Sequence, residues 1–266
     1  MIELKDVHKT FGTFHVLQGL NLRIDAGETL VILGRSGIGK SVSLRHIVGL
    51  LRPDSGQVVV FGQDMSTANE EQTRAVRRRV GYLFQDGALL NWLTIGGNMA
   101  LPLQEVYKLP KAEIAERVEH AAALVELQDA LHKFPSEVSG GMRKRAGLAR
   151  AVVCRPDVIL YDEPTSGLDP ISSSIINRLI NNLKDNSPSL AQIVVTHDMH
   201  SAFTIADRIA LLHEGQIIAE GSSDEIRNSK DPAVVQFIHG QIDGPLSRTD
   251  KPGAVPAKKE SNREPA

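Results

Sequence analysis

The run Gly34-Arg35-Ser36-Gly37-Ile38-Gly39-Lys40-Ser41 restricts what this chain can fold into more than any other segment. It has the spacing G-x4-G-K-S, follows the apolar run Thr29-Leu30-Val31-Ile32-Leu33, and precedes Val42, Leu44, Ile47, Val48 and Leu51 at helical spacing. A strand, a glycine loop and a helix in that order form the setting in which such a sequence cradles phosphates. The glycines let backbone N–H groups close on phosphate oxygens without a Cβ in the way, and the helix start adds its positive dipole end. Gly34, Arg35, Ser36, Gly37, Ile38, Gly39, Lys40, Ser41 and Val42 are therefore predicted to hold a nucleotide. Lys40 would reach the β- and γ-phosphates, and Ser41 would ligate Mg²⁺.

Around this loop the apolar period switches between two and 3.6. Strands are predicted at residues 2–7, 20–24, 29–33, 58–61 and 80–84, bounded by Gly or Asp-Ser-Gly turns. The helix after Lys40 is expected to run until Pro53 stops it. Residues 86–155 read as mostly helical, with helices at 111–130 and at 142–153, the latter starting just after Gly140 and Gly141. From Asp157 onward, strands at 158–161, 192–195, 209–212 and 216–218 alternate with helices at 172–184 and 199–206. The pattern implies an α/β fold with a mostly parallel sheet covered on both faces and a helical lobe inserted mid-chain. A short amphipathic helix is expected at 233–240. From Gly244 the composition turns to Pro, Lys, Ser, Arg and Glu, too polar to order itself.

Asp162 and Glu163 end the run at 158–161, at the edge where open α/β sheets bind ligands. Asp162 suits a Mg²⁺ shell, and Glu163 would polarise or deprotonate an attacking water. Alone, two such acids could simply cap the next helix. Phosphoryl transfer needs an aligned water and neutralised charge, and one loop supplies only part of that clamp. Ser139-Gly140-Gly141 ahead of a helix makes a second anion site, suggesting that it meets a γ-phosphate held by another subunit. An ordinary N-cap serine with a flexible glycine pair is the plainer reading of those three residues.

Over 266 residues the net charge is −2, so no broad basic field favours nucleic acid. The single Cys154 excludes an intrachain disulfide and fits a reducing compartment, where it reads as a small buried hydrophobe. No run approaches the ~18 apolar residues of a membrane span. Met1-Ile2-Glu3-Leu4-Lys5 reads straight into a strand with no leader pattern, so the expectation is a cytosolic chain that meets a membrane only through a partner.

Taken together, these segments resemble the ATP-binding subunit of ABC transporters over residues 1 to about 225. The resemblance implies ATP and Mg²⁺ as cofactors, and a P-loop NTPase fold with an N-terminal antiparallel β subdomain and an inserted α-helical subdomain. Val138-Ser139-Gly140-Gly141-Met142 resembles the family signature, with valine for the usual leucine and methionine for the usual glutamine. Gln85 matches the glutamine that senses Mg²⁺ and contacts the transmembrane partner, although on its own it could be any loop amide. Ser166-Gly167-Leu168-Asp169 resembles the D-loop that crosses the dimer interface. His197 resembles the switch histidine on the γ-phosphate, with a helix-capping role as the alternative. Phe11 sits where an aromatic stacks on adenine, but it could be core, and Phe14 and Tyr161 are also available. The implied catalytic set is Glu163, His197 and Lys40, working in two copies packed head to tail with Ser139, Gly140 and Gly141 facing the other copy's ATP.

Phe84-Gln85-Asp86-Gly87-Ala88-Leu89-Leu90, then Leu93-Thr94-Ile95 and Asn98, is similar to the ATPases of Mla/Mce-type lipid-transport systems. So are Met142-Arg143-Lys144-Arg145 and the stretch from Asp231-Pro232-Ala233 to Asp243-Gly244-Pro245. That likeness implies a permease, a second copy and an Mce-domain lipid-binding protein as partners, at the cytoplasmic face of an inner membrane. It divides the chain into an ATP-binding core (1–86 and 156–225), a helical subdomain (87–155), a dimer-contact extension (226–243) and a disordered tail (244–266). Trp92 reads either as a half-exposed loop aromatic or as an anchor for the permease. A motor for another cargo, such as a polar amino acid importer or a small exporter, would share every catalytic motif. A soluble ABC ATPase acting on DNA or ribosomes would carry coiled coils, zinc modules or a second nucleotide domain, and none of these is seen.

Overall fold

β1 (Ile2–Phe11) and β2 (Phe14–Ile24) pair antiparallel across a tight turn at Gly12-Thr13, with Phe11 opposite Phe14. In the computed structural model, which describes residues 2–249, both strands run further than the apolar period predicts. Register shifts between Leu4 and Val7 and again at Lys9/Thr10, with Asp6 at φ 48°, break the alternation while the ladder continues. β3 (Thr29–Leu33) is buried along its whole length and leads through the glycine loop into α1 (Lys40–Ile47). α1 stops well short of Pro53, because Gly49 turns left-handed at φ 64° and its N–H bonds to His46 O. β4 (Ser55–Val60) and β5 (Gln63–Asp64) complete a four-stranded antiparallel sheet, in the order β2-β1-β4-β5.

α2 (Glu70–Arg77) lies where the apolar period predicts no helix, although its start is written in the sequence. Asn69 and Gln72 form a reciprocal capping box, each side chain accepting the other's backbone N–H at 2.9 Å. β6 (Val80–Leu83) leads into the helical insertion, α3 (Ile95–Glu105), α4 (Lys111–Leu124) and α5 (Gly140–Val152). The single helix expected at 111–130 ends at Leu124, where Glu126 reverses the chain at φ 56° and a 3₁₀ turn follows at Gln128–Ala130. α5 takes in both glycines instead of starting after them, because Ser139 caps it: its Oγ accepts from Met142 N at 3.2 Å.

β7 (Val158–Asp162), α6 (Pro170–Asn186), β8 (Ala191–Thr196), α7 (Met199–Ile205), β9 (Arg208–His213), β10 (Gln216–Ser222) and α8 (Ser223–Arg227) follow. The second sheet has six strands in the order β10-β9-β3-β8-β7-β6, all parallel except the β10 edge. β10 runs past the expected 216–218 to Ser222, through Ala219-Glu220-Gly221-Ser222, which carries almost no apolar signal on an edge strand. α1 joins the two sheets into one core: Leu44 and Ile47 pack in a cluster with Ile2, Leu20, Ile32 and Ile193. Burying each such side chain is worth about 1.5–3 kcal/mol.

Residues up to Ile226 form one compact unit, and a second begins at Arg227. In the second, α9 (Pro232–His239) is capped by Asp231, which accepts from Ala233 N at 2.8 Å. The expectation of disorder from Gly244 needs correction for its first residues, since Pro245–Thr249 takes a 3₁₀ turn. Polar contacts order it: the Gln236 amide accepts from Leu246 N at 2.7 Å and donates to Ser247 Oγ at 2.6 Å. The rest of the expected tail, residues 250–266, lies outside the described residues.

Candidate nucleotide site

Strand order alone brings the distant motifs together. β3, β8 and β7 are adjacent and parallel, with Leu33 opposite Thr196 and Val195 opposite Asp162. The glycine loop, His197 and the Asp162-Glu163 pair therefore all leave the same edge of the sheet. β6, next to β7, delivers Gln85 to that edge. They surround a cleft of about 460 Å³ lined by Phe11, Phe14, Lys40, Gln85, Glu163 and His197, among others.

In the loop, Gly37 stands at φ 82° and Gly39 at φ 109°, both left-handed. A Cβ on Gly39 would sit 2.9 Å from Val16 Cγ1, so that position admits no side chain. A Cβ on Gly37 would meet nothing within 4 Å, leaving its face open to the cleft. Lys40 Nζ donates to Gly34 O (2.7 Å) and Arg35 O (3.0 Å) and lies 3.2 Å from Glu163 Oε1. Ser41 Oγ donates to Asp162 Oδ1 at 2.5 Å. The Tyr82 hydroxyl donates to the other oxygen, Oδ2, at 3.3 Å, and burial together with that carboxylate pushes the phenol's pKa up. A hydroxyl and a carboxylate converging at the mouth of a phosphate loop are hard oxygen donors of the kind Mg²⁺ takes, so these residues fit the ion.

Glu163 is the centre of the arrangement. It is 8% exposed, and its backbone sits at φ 50°, a region that costs a non-glycine residue about 1–3 kcal/mol. Its Oε1 faces Lys40, and its Oε2 lies 2.8 Å from His197 Nδ1. Asp198, not His197, caps α7, accepting from His200 N at 3.0 Å, which leaves the half-exposed imidazole free to face the cleft. A buried carboxylate between a lysine and a histidine, beside a phosphate loop, can take a proton from a water attacking a phosphoryl group.

Phe11 is 45% exposed on the cleft wall with Lys9 Nζ 5.5 Å above its ring, which removes the core reading. Phe14 shares the wall, whereas Tyr161 is fully buried and donates to Gln192 Oε1, so it cannot stack on a base. Ser139, Gly140 and Gly141 do not line this cleft; Gly140 faces Leu168 and Gly141 faces Ser172 of the same chain. Asp169 caps α6, accepting from Ile171 N and Ser172 N at 3.0 Å. Cys154 is half-buried, and burial pushes its thiol up to about 11, away from reactivity.

Three contributors were missed. Tyr82 and Arg45 belong to the site, and Lys144 reaches under it: its Nζ donates to Glu163 O (3.0 Å) and Ser166 O (2.5 Å). Lys144 had a signal, a lone cation on the helical stripe of α5 that also buries Gly147, Leu148 and Ala151. The loop after Gln85 is held by Arg150, which donates to Gly87 O (2.9 Å) and Ala88 O (2.7 Å), and by the fully buried Asn98. Asn98 accepts from Leu90 N at 2.7 Å and donates to Leu90 O, Leu93 O and Thr94 O. Asn98→Ala is expected to cost about 2–3 kcal/mol through these orphaned groups. It should lower the thermal midpoint by roughly 5–10 °C, as scanning calorimetry would read; an unchanged midpoint would show that the loop does not depend on the amide.

A family model described as ABC transporter matches residues 17–166. The chain belongs to the ABC transporter family. As a member it is a transport-coupled ATPase, of a family that binds ATP with Mg²⁺. Among its relatives is the Haemophilus influenzae protein described as intermembrane phospholipid transport system ATP-binding protein MlaF, 39% identical over 92% of this chain and 93% of the relative. The Mycobacterium tuberculosis protein described as probable ribonucleotide transport ATP-binding protein mkl is also 39% identical, over 94% of this chain and 69% of its own length. The ATP-binding cassette MJ0796, solved as a dimer in a post-hydrolysis state with ADP and Pi, superposes with a TM-score of 0.78 at 31% identity, covering 84% of this chain and 99% of that one. Among the described residues no helix of this ATPase is long and apolar enough to cross a membrane.

Proposed function

We propose that this ATPase drives phospholipid movement between the inner and outer membranes, bound to the cytoplasmic side of a permease and working as a pair of identical copies. The cargo reading rests on one observation: the chain matches the phospholipid-system relative almost end to end, but only 69% of the ribonucleotide-named one.

In the proposed cycle, Phe11 stacks on the base while residues 34–42 hold the triphosphate. Lys40 exchanges its carbonyl contacts for the β- and γ-phosphates. Ser41, Asp162 and Gln85 would hold Mg²⁺, which supplies charge neutralisation at the phosphates. Glu163 accepts the proton of the attacking water, and His197 bonds the γ-phosphate and steadies that carboxylate. Ser139, Gly140 and Gly141 of one copy complete the clamp on the other copy's nucleotide, with Ser166, Gly167, Leu168 and Asp169 at the interface. Gly140 supports this: a Cβ there would find only Arg143 Nη2 at 3.8 Å and Leu168 Cδ2 at 4.0 Å. Its own chain has room for a side chain, so the bare backbone serves something outside. ATP shifts the pair toward closure only because it touches both copies.

Opening would pass to the permease through residues 85–98. An apolar groove of about 840 Å³, walled by Tyr82, Phe84, Leu101, Pro102 and Val106, lies alongside. Trp92, 74% exposed on this segment, is more open than expected and suits an anchor at the permease contact. We further assign residues 226–243 to contact with the neighbouring copy, and an Mce-domain protein to the complex.

An affinity pull-down of the full chain from its native membrane, in mild detergent, tests this by mass spectrometry of proteins and lipids. The expected catch is a permease, an Mce-domain protein and bound phospholipid, and Trp92→Ala should cut the yield several-fold without changing folding. The permease of a soluble-binding-protein importer would overturn the lipid cargo, and an unchanged yield with Trp92→Ala would overturn the anchor.

A further inference from the structure

Lys144 is 6% exposed, and its ammonium has no carboxylate oxygen within 4.0 Å among the described residues. A lysine so placed is disfavoured unless its protons are well used, and burial pulls its pKa below the ordinary lysine value. Two of those protons go to Glu163 O and Ser166 O, the two ends of the turn after β7. That turn begins with Glu163 at φ 50° and holds a Ser166 N–H to Glu163 O bond of 3.2 Å. Strained backbone persists only where its surroundings fix it, and Lys144 is the side chain that grips both ends.

We propose that Lys144 is a positioning residue for hydrolysis, its ammonium holding the turn from Glu163 to Ser166 so that the Glu163 carboxylate is presented between Lys40 and His197. Because Lys144 belongs to α5, whose first residues are Gly140 and Gly141, it also ties a copy's own hydrolytic carboxylate to the surface that meets the other copy's nucleotide. The inference rests on the proposed role of Glu163 as base. Lys144 touches no substrate; it acts through Glu163.

The test is a double-mutant cycle in the full-length chain purified with its membrane partner, reading single-turnover ATP cleavage and ATP affinity. Lys144→Met, which keeps the stem and removes the ammonium, is expected to slow cleavage roughly 30-fold with ATP affinity changed less than about twofold. In a Glu163→Gln background the same change should alter the residual rate less than about twofold, because the group it positions is already disabled. Equal fold losses in both backgrounds would overturn the proposal and leave Lys144 as packing alone. A Glu163→Gln chain as fast as wild type would overturn it differently, by removing the base it is said to position. Should Lys144→Met not fold, Lys144→Gln, which keeps one donor group, carries the same cycle.

Discussion

Glu163→Gln is expected to slow ATP hydrolysis by about 10³-fold, within the 10²–10⁴ that a positioned general base contributes. The substitution keeps the shape of the side chain and leaves its oxygen beside Lys40, while a neutral His197 can accept from the amide. The strained backbone at residue 163 is likewise untouched, with Lys144 still on its carbonyl. Only the capacity to take a proton from water is lost. ATP affinity, read by titration with a fluorescent ATP analogue, should stay within about twofold, since no contact to the phosphates is removed. Phosphate release at the wild-type rate would show that another group activates the water, and His197 would be the next candidate.

Lys40→Ala is expected to weaken ATP binding and slow hydrolysis together. Charge-assisted hydrogen bonds are worth about 1.5–3 kcal/mol each, so losing the ammonium from the triphosphate should weaken ATP roughly 10–100-fold or more. The same change strips Glu163, buried at 8% exposure, of the cation beside its Oε1, leaving it the His197 contact at Oε2. Titration and phosphate release on the same preparation separate this variant from Glu163→Gln, which loses turnover alone. Wild-type affinity in Lys40→Ala would mean that the triphosphate does not sit on the glycine loop.

The two substitutions also mark what could be read from residue order. The grouping of Lys40, Asp162 and Glu163 at one edge was legible from local context: a glycine loop between strand and helix, and acids at a strand end. The fold class followed from strands alternating with helices. What stayed hidden depends on contacts across the chain or on backbone angles. The left-handed turns at Gly49 and Glu126 shortened two expected helices: Glu126 does not look like a helix stop by composition, and Gly49 does, but the apolar period runs on past it to Leu51. β1 ran past Val7 because bulges break the side-chain alternation that a period-two reading needs. Lys144 was visible as a cation in an apolar stripe, but its role required knowing that α5 passes under the turn after β7. Ser139 shows the opposite limit. The structure makes it the cap of α5, and its place outside the cleft of its own chain is what a site completed by a second copy requires.

The central claim is that nucleotide is clasped between two copies, with Ser139 on the far side. Sedimentation equilibrium of the Glu163→Gln chain with ATP–Mg²⁺ or ADP–Mg²⁺, repeated with Ser139→Asp added, tests it most directly. Aspartate caps a helix as well as serine does, so α5 should survive while a carboxylate faces the phosphate. The expected result is self-association at least about tenfold tighter with ATP than with ADP, and loss of that difference when Ser139→Asp is present. Equal association with the two nucleotides, or an ATP effect that survives Ser139→Asp, would contradict the shared site.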